Sequence, residues 1–206
     1  MSIKKGFTMT EILVALSIVG VLSAIMIPAF YRAKPNQEML MLKKSYYMIS
    51  RAISETINDE GFYKETNNPD ESGFADTTEN IEPYHGVKAS GNTKFCELVA
   101  ARMNVDGDVH CTANRTLADG GHFKTQDGAV WLLPISDFRN GQQEIWVDVN
   151  GSKGANCVAS ANCNKKPDRF KFTVDQWGKI GVNDELTKKY LSSTNSIATY
   201  KQIMEE

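Results

Sequence analysis

One stretch limits what this chain can fold into more than any other. From Phe7 to Phe30 the sequence runs for 24 residues with a single charge, Glu11. As a helix rising about 1.5 Å per residue it would reach roughly 36 Å, against about 30 Å for the hydrocarbon core of a bilayer. Lys4 and Lys5 precede it, a bias that holds the N-terminus on the cytoplasmic side. Glu11 is the anomaly. A carboxylate within an apolar span costs roughly 2.5–3.5 kcal/mol on insertion scales, so its presence points to function. A secretory signal has a shorter apolar region, of about 7–15 residues, followed by a small-x-small cleavage site. Here the run is longer and no such site follows. A plain membrane anchor gives no reason for the spacing Gly6-Phe7-x-x-x-Glu11.

That spacing resembles the N-terminus of type IV prepilins and of the pseudopilins of type II secretion systems. Their pattern is a short basic leader ending in Gly, then Phe, a hydroxyl and apolar run, and a Glu at the fifth position after the Gly. Gly6, Phe7 and Glu11 fit it, and Met9 stands where the family usually has Leu. The resemblance implies processing by a prepilin peptidase between Gly6 and Phe7, followed by N-methylation of Phe7. It also implies that Glu11 pairs with the Phe7 amine of a neighbouring subunit. Gly20 and Pro28 lie where family members often carry helix-weakening residues. Pro28 removes one backbone donor and clashes with the carbonyl of Ala24, so a kink or local unwinding is expected there.

Beyond the apolar run, Met39, Leu42, Tyr46, Ile49, Ile53 and Ile57 recur every three or four residues, with Lys43, Lys44, Arg51 and Glu55 off that line. This is an amphipathic helix, with Pro35 as a kink or a new start and Gly61 as its C-cap near Glu60. Unbroken from Phe7 to Glu60, the rod would be on the order of 80 Å long. Residues 62–127 are polar and irregular, with one short helix expected over Thr93–Asn104 that turns Phe95, Leu98, Val99 and Met103 inward. In the family such a region links the long helix to the sheet and often faces the filament surface.

The period then changes to two. Ala129–Ile135, Glu144–Val149 and Arg169–Val174 read as strands, with a weaker fourth at Lys179–Val182 after a turn at Asp175–Gly178. Alternation in the second and third predicts one face against the helix and one toward solvent. Trp131, Trp146 and Trp177 are expected in the core or on the sheet faces. The tail from Asn183 to Glu206 is expected to hold a short helix around Ile197–Met204.

The fold class expected is therefore α+β, a long N-terminal helix packed on a roughly four-stranded antiparallel sheet. Its segments are a leader (1–6), a transmembrane or filament-core helix (7–30), an amphipathic half (31–61), a connection (62–127), the sheet (128–182) and a C-terminal tail (183–206). A length of 206 residues suits one such domain with a modest core. A net charge of −2 gives no indication of nucleic-acid binding.

Four cysteines, Cys96, Cys111, Cys157 and Cys163, all follow the apolar span. Outside the cytoplasm an even count favours disulfides. Of the three connectivities, the sequence-local one, Cys96–Cys111 with Cys157–Cys163, is favoured. Zinc is the rival, but no Cys-x-x-Cys is present. Oxygen ligands concentrate around Asp148, Asn150 and Asp168, and calcium prefers carboxylate, amide and backbone oxygens in such loops. Some major pseudopilins hold calcium in a C-terminal loop, so these three residues are a possible calcium site by loose analogy. The alternative is a plain Asn150-Gly151 turn. His110 and His122 are expected to be solvated loop residues, and Asp59-Glu60 to solvate a helix end. No hydrolase, zinc-protease or phosphate-loop motif occurs, so no enzymatic activity is expected.

The function expected is a structural subunit of a type IV pilus or type II secretion pseudopilus. Its implied partners are prepilin peptidase, other pilin or pseudopilin subunits, an inner-membrane assembly platform and the membrane itself. It would begin as a single-pass inner-membrane precursor with its C-terminal domain outside the cytoplasm. It would end in a periplasmic pseudopilus or an extracellular pilus. The alternative is a minor pilin acting as an adhesive or ligand-binding module.

Overall fold

The computed structural model describes residues 6–32, 36–64, 66–82, 86–158, 163 and 167–194. Lys4, Lys5, Pro35 and the helix expected at Ile197–Met204 lie outside the described residues.

Helix α1 spans Met9–Arg32 and helix α2 spans Gln37–Ile57. Of the two readings of Pro35, a kink in one rod or a new start, the two separate helices agree with the new start. Helix α2 has an N-cap of its own, Asn36, whose backbone is extended and whose side chain accepts the Met39 N–H at 3.2 Å. It also ends earlier than expected. Asn58, not Gly61, is the C-cap, its backbone N–H returning to Ser54 O and its side-chain amide donating to the same carbonyl at 2.7 Å. Helix α1 runs through Gly20 and Pro28 without interruption, and the Ser17 hydroxyl satisfies itself on Leu13 O at 2.8 Å.

The two helices differ in what covers them. Leu13, Leu16 and Ile25 of α1 remain 62, 63 and 68% exposed. On α2, Met39, Leu42, Ile49 and Ile53 are fully buried, with Tyr46 and Ile57 half-buried beside them. Burying one such aliphatic side chain contributes about 1.5–3 kcal/mol. Helix α2 is thus held by the domain, and α1 is left uncovered by the other described residues.

Helix α3 (Lys94–Ala101) forms inside the expected Thr93–Asn104, with Phe95, Leu98, Val99 and Met103 buried. The sheet has five strands, not four: β1 (Phe123–Lys124), β2 (Val130–Leu132), β3 (Gln143–Asp148), β4 (Arg169–Val174) and β5 (Ile180–Gly181). They lie in sequence order and every pairing is antiparallel. Strand β1 has two residues, too few for alternation to show, which is why it read as part of the connection. Helix α4 (Glu185–Ser192) was also not expected, because its sequence is mostly polar. Asp184 starts it by accepting the Thr187 N–H at 2.7 Å, and Tyr190 anchors it against the Phe170 ring, centroids 5.6 Å apart.

The register explains the core. Ile145 lies opposite Phe172 and Val147 opposite Phe170, all four fully buried, and the Phe172 ring meets Tyr46 of α2 edge-on at 5.6 Å. On the other face Lys171 bonds Glu144 at 2.8 Å and lies over the Trp146 ring. One face is packed and the other carries charge, as period-two alternation requires.

Candidate functional site

At the head of α1, Gly6 and Phe7 precede the helix, and Phe7 is 84% exposed. Thr8 is the residue before the first helical turn. The Glu11 carboxylate accepts the Thr8 N–H and the Thr8 hydroxyl, both at 2.8 Å, and the Glu11 N–H donates back to Thr8 Oγ1 at 3.3 Å. This reciprocal arrangement is a capping box, and it places an anion in the first turn, where the helix dipole favours it. The sequence carries the signal, Thr8-x-x-Glu11, embedded at the start of the apolar run. Within the free chain, then, Glu11 is a solvated, hydrogen-bonded carboxylate at the end of an apolar helix. Gly20 and Pro28 lie farther along α1, 9 and 17 residues beyond Glu11.

The oxygen-rich loop between β3 and β4 does bring Asp148, Asn150 and Asp168 close together. A side chain at Gly154, whose φ is +123°, would run into both Asn150 and the Asp168 carboxylate. Asp148 Oδ2 accepts from Arg169 Nε at 2.9 Å, while Asp168 receives the N–H groups of Asn156 and Cys157 at 2.8 Å each. Burial pushes the Asp148 carboxyl above its usual range; the Arg169 hydrogen bond opposes this and the nearby Asp168 adds to it. Asp148 Oδ1 and Asn150 Oδ1 are buried without a hydrogen-bond partner among the described residues. The donor set is therefore divided in its fit to calcium. Two orphan oxygens suit a cation, but Arg169 already supplies the positive charge and both Asp168 oxygens are engaged.

Cys96 is bonded to Cys111 and Cys157 to Cys163, with Cα atoms 5.9 Å apart in each pair. The first bond ties α3 to the segment that follows it. Next to it lie three features of the connecting region that sequence reasoning missed. Lys94 is buried at the start of α3, its ammonium 3.1 Å from Asp76 Oδ2 and 4.3 Å from the centre of the Tyr63 ring. Burial pulls Lys94 below its usual value, and Asp76 opposes the shift. The opposite Asp76 oxygen accepts the Thr78 N–H and hydroxyl at 2.8 and 2.6 Å. Asp59, expected to be solvated, is mostly buried and bonds Arg102 at 2.7 Å, with the guanidinium over Phe62.

His122 is likewise a correction. His110 is exposed as expected, but His122 is only 2% exposed. Its Nδ1 accepts the Leu133 N–H at 3.0 Å and its Nε2 lies 2.9 Å from Thr112 O. A ring nitrogen that accepts a backbone N–H carries no proton, so the neutral Nε2–H tautomer is the one that fits. Burial lowers its pKa, the Thr112 carbonyl raises it, and Arg115 lowers it further. Trp177 departs from expectation too: Trp131 is fully buried, but Trp177 is 58% exposed on the β4–β5 turn.

Residues 1–27 match a family model described as a prokaryotic N-terminal methylation motif. Among curated proteins the chain is similar to the type IV major pilin protein PilE1 of Neisseria gonorrhoeae. They are 29% identical over 157 residues, covering 73% of this chain and 68% of that one. No solved structure matches the chain.

Proposed function

Taking the chain as a member of the type IV pilin and pseudopilin family, which the methylation motif and the pilin relative support, we propose that it is a filament subunit made as a membrane-anchored prepilin. The observation that carries this is the pairing of a fully uncovered apolar helix with one carboxylate in its first turn. An apolar surface of this extent must be covered by lipid before assembly and by other copies after it. Cleavage after Gly6 by a prepilin peptidase creates a cationic amine at Phe7, which methylation leaves charged. Glu11 then leaves Thr8 and pairs with that amine on the next subunit. Two charges that would be costly one by one become a buried pair, and the pairing fixes register between helices. Gly20 and Pro28 weaken the helix between Glu11 and the domain, so that it can adapt during packing.

An inner-membrane assembly platform would lift the processed chain from the bilayer into a pilus or a secretion pseudopilus. The 73% coverage by a major pilin favours the pilus. Calcium at Asp148, Asn150 and Asp168 belongs to the same set of proposals. Titrating the protein with calcium while following its melting temperature tests it, a rise supporting the site and a flat response removing it.

The decisive experiment is the intact mass of the protein from membranes of its native host. Loss of Met1–Gly6 with gain of one methyl group supports the proposal. An uncut chain, or one cut after residue 20 or beyond, overturns it.

A further inference from the structure

Arg169, the first residue of β4, stands opposite Asp148, the last of β3. Its Nε donates to Asp148 Oδ2 at 2.9 Å and its Nη2 to Asn156 Oδ1 at 3.2 Å. One guanidinium therefore holds two of the side-chain oxygens in the loop between these strands. Two more, Asp148 Oδ1 and Asn150 Oδ1, are buried without a hydrogen-bond partner among the described residues. The backbone is bent to keep these groups together. Asn156 has a φ of +49°, the one positive value outside glycine among the described residues. Its N–H bond to Asp168 Oδ2 at 2.8 Å holds it in that conformation.

Arg169 borders two clefts. The wider, of about 620 Å³, it shares with Asp148, Asn150 and Asn156. Lys124, Lys153 and Asp127 also line that cleft, but Lys124 is paired with Asp106 and Asp127 with Lys44. Arg169 is thus the cation in contact with Asp148. The second cleft, of about 260 Å³, it shares with Trp146, Lys171, Asp184 and Thr187. The Arg169 side chain is 20% exposed, against 2% for that of Asp148. The guanidinium therefore has a second space to occupy, with the Asp184 carboxylate in its wall.

We propose that Arg169 is a tethered cation that competes with calcium for the Asp148 carboxylate. This rests on the calcium reading of the same loop and adds what controls the ion's access. With the guanidinium in place, a second cation beside Asp148 would meet its charge at close range, so the two exclude each other. With the guanidinium in the smaller cleft, Asp148 Oδ2 and Asn156 Oδ1 are released. They join Asp148 Oδ1 and Asn150 Oδ1 as carboxylate and amide donors of the kind calcium takes, and the wider cleft admits water for the remaining positions. Calcium affinity is then set by what it costs to move Arg169. Magnesium, which demands a stricter geometry and gives up its water reluctantly, is disfavoured.

The test is calorimetric titration of the full-length chain in detergent with calcium chloride, magnesium chloride being the control, in parallel with thermal melts. Arg169→Met removes the charge and keeps most of the volume. It should bind calcium at least tenfold more tightly than the parent. Without calcium it should melt below the parent, because Asp148 loses its partner, and calcium should reverse that loss. Adding Asp148→Asn to it should abolish the calcium response. If Arg169→Met shows no cooperative melt, Arg169→Gln takes its place with the same expectation. Equal affinity in parent and variant overturns the competition and leaves the calcium reading standing. A parent that binds no calcium, with a variant that does, supports the competition and removes calcium from the native loop. No binding by either overturns both.

Discussion

The Glu11 carboxylate and the Thr8 backbone N–H are 2.8 Å apart, each completing the other's role at the start of α1. This gives Glu11 a function in the single chain as well as the one proposed between chains. Before assembly it caps its own helix; after assembly it would neutralise a neighbour's amine. The two roles make different demands and can be separated by mutation.

Thr8→Ala removes the cap but leaves the charge. It should cost about 1 kcal/mol of helix-end stability and leave incorporation into filaments close to normal. Glu11→Ala removes both roles. It should insert into the membrane yet assemble poorly, because in the proposed filament the neighbour's amine would be left without its partner. Membrane fractionation and recovery of sheared filaments measure the two steps. Normal incorporation of Glu11→Ala would remove it from the assembly mechanism.

The Lys94–Asp76 pair is the most consequential ionic contact in the connecting region, with side chains 2 and 8% exposed. Asp76→Ala should destabilise the domain by about 3–5 kcal/mol, since it strands a buried ammonium. Replacing both residues by apolar ones of similar volume should recover most of that loss. Urea unfolding of Asp76→Ala, of a Lys94→Met single variant and of the double replacement decides this, and an additive double variant would show that the residues act separately.

The Cys96–Cys111 bond closes a sequence separation of 15 residues. Chain-entropy reasoning for a loop of that size predicts a loss of about 3 kcal/mol in the double Cys→Ser variant. A thermal melt compared with the oxidised parent provides the measurement.

His122 makes stability depend on pH. Its folded pKa is lowered, chiefly by burial, from the ordinary value of 6.5. The unfolded chain therefore takes up the proton first as pH falls. The stabilisation is fully present above about pH 6.5, where both states are neutral. It is lost as pH falls from there toward the folded pKa, because the imidazolium can no longer accept the Leu133 N–H. His122→Gln should flatten this part of the stability profile. An unchanged slope between pH 7 and 5 in that variant would exclude His122 as its source.

Local patterning was sufficient for much of this molecule. The apolar run and its lone Glu11, the helical stripe from Met39 to Ile57, and the alternation in Glu144–Val149 and Arg169–Val174 are properties of neighbouring residues. Period and composition therefore expose them directly. The Gly6-Phe7-x-x-x-Glu11 spacing pointed in the same way to assembly chemistry.

Tertiary structure decided the rest, for reasons that distance along the chain hides. Strand β1 exists because Phe123 and Lys124 pair with Trp131 and Val130, not because two residues favour a strand. Helix α4 is polar by count and is held by Tyr190 against Phe170. Lys94 and Asp76, 18 positions apart, are an ordinary lysine and aspartate until the fold excludes water from both. His122 reads as a loop histidine until Leu133 and Thr112 close on its two nitrogens. Trp177 reads as a core or sheet-face residue until the turn it was expected to belong to holds it in solvent. Sequence determined which segments are apolar and with what period. Only packing determined which polar side chains lost their water and which aromatic ring kept it, and that loss is what makes Lys94 and Asp76 a buried pair and His122 a neutral acceptor.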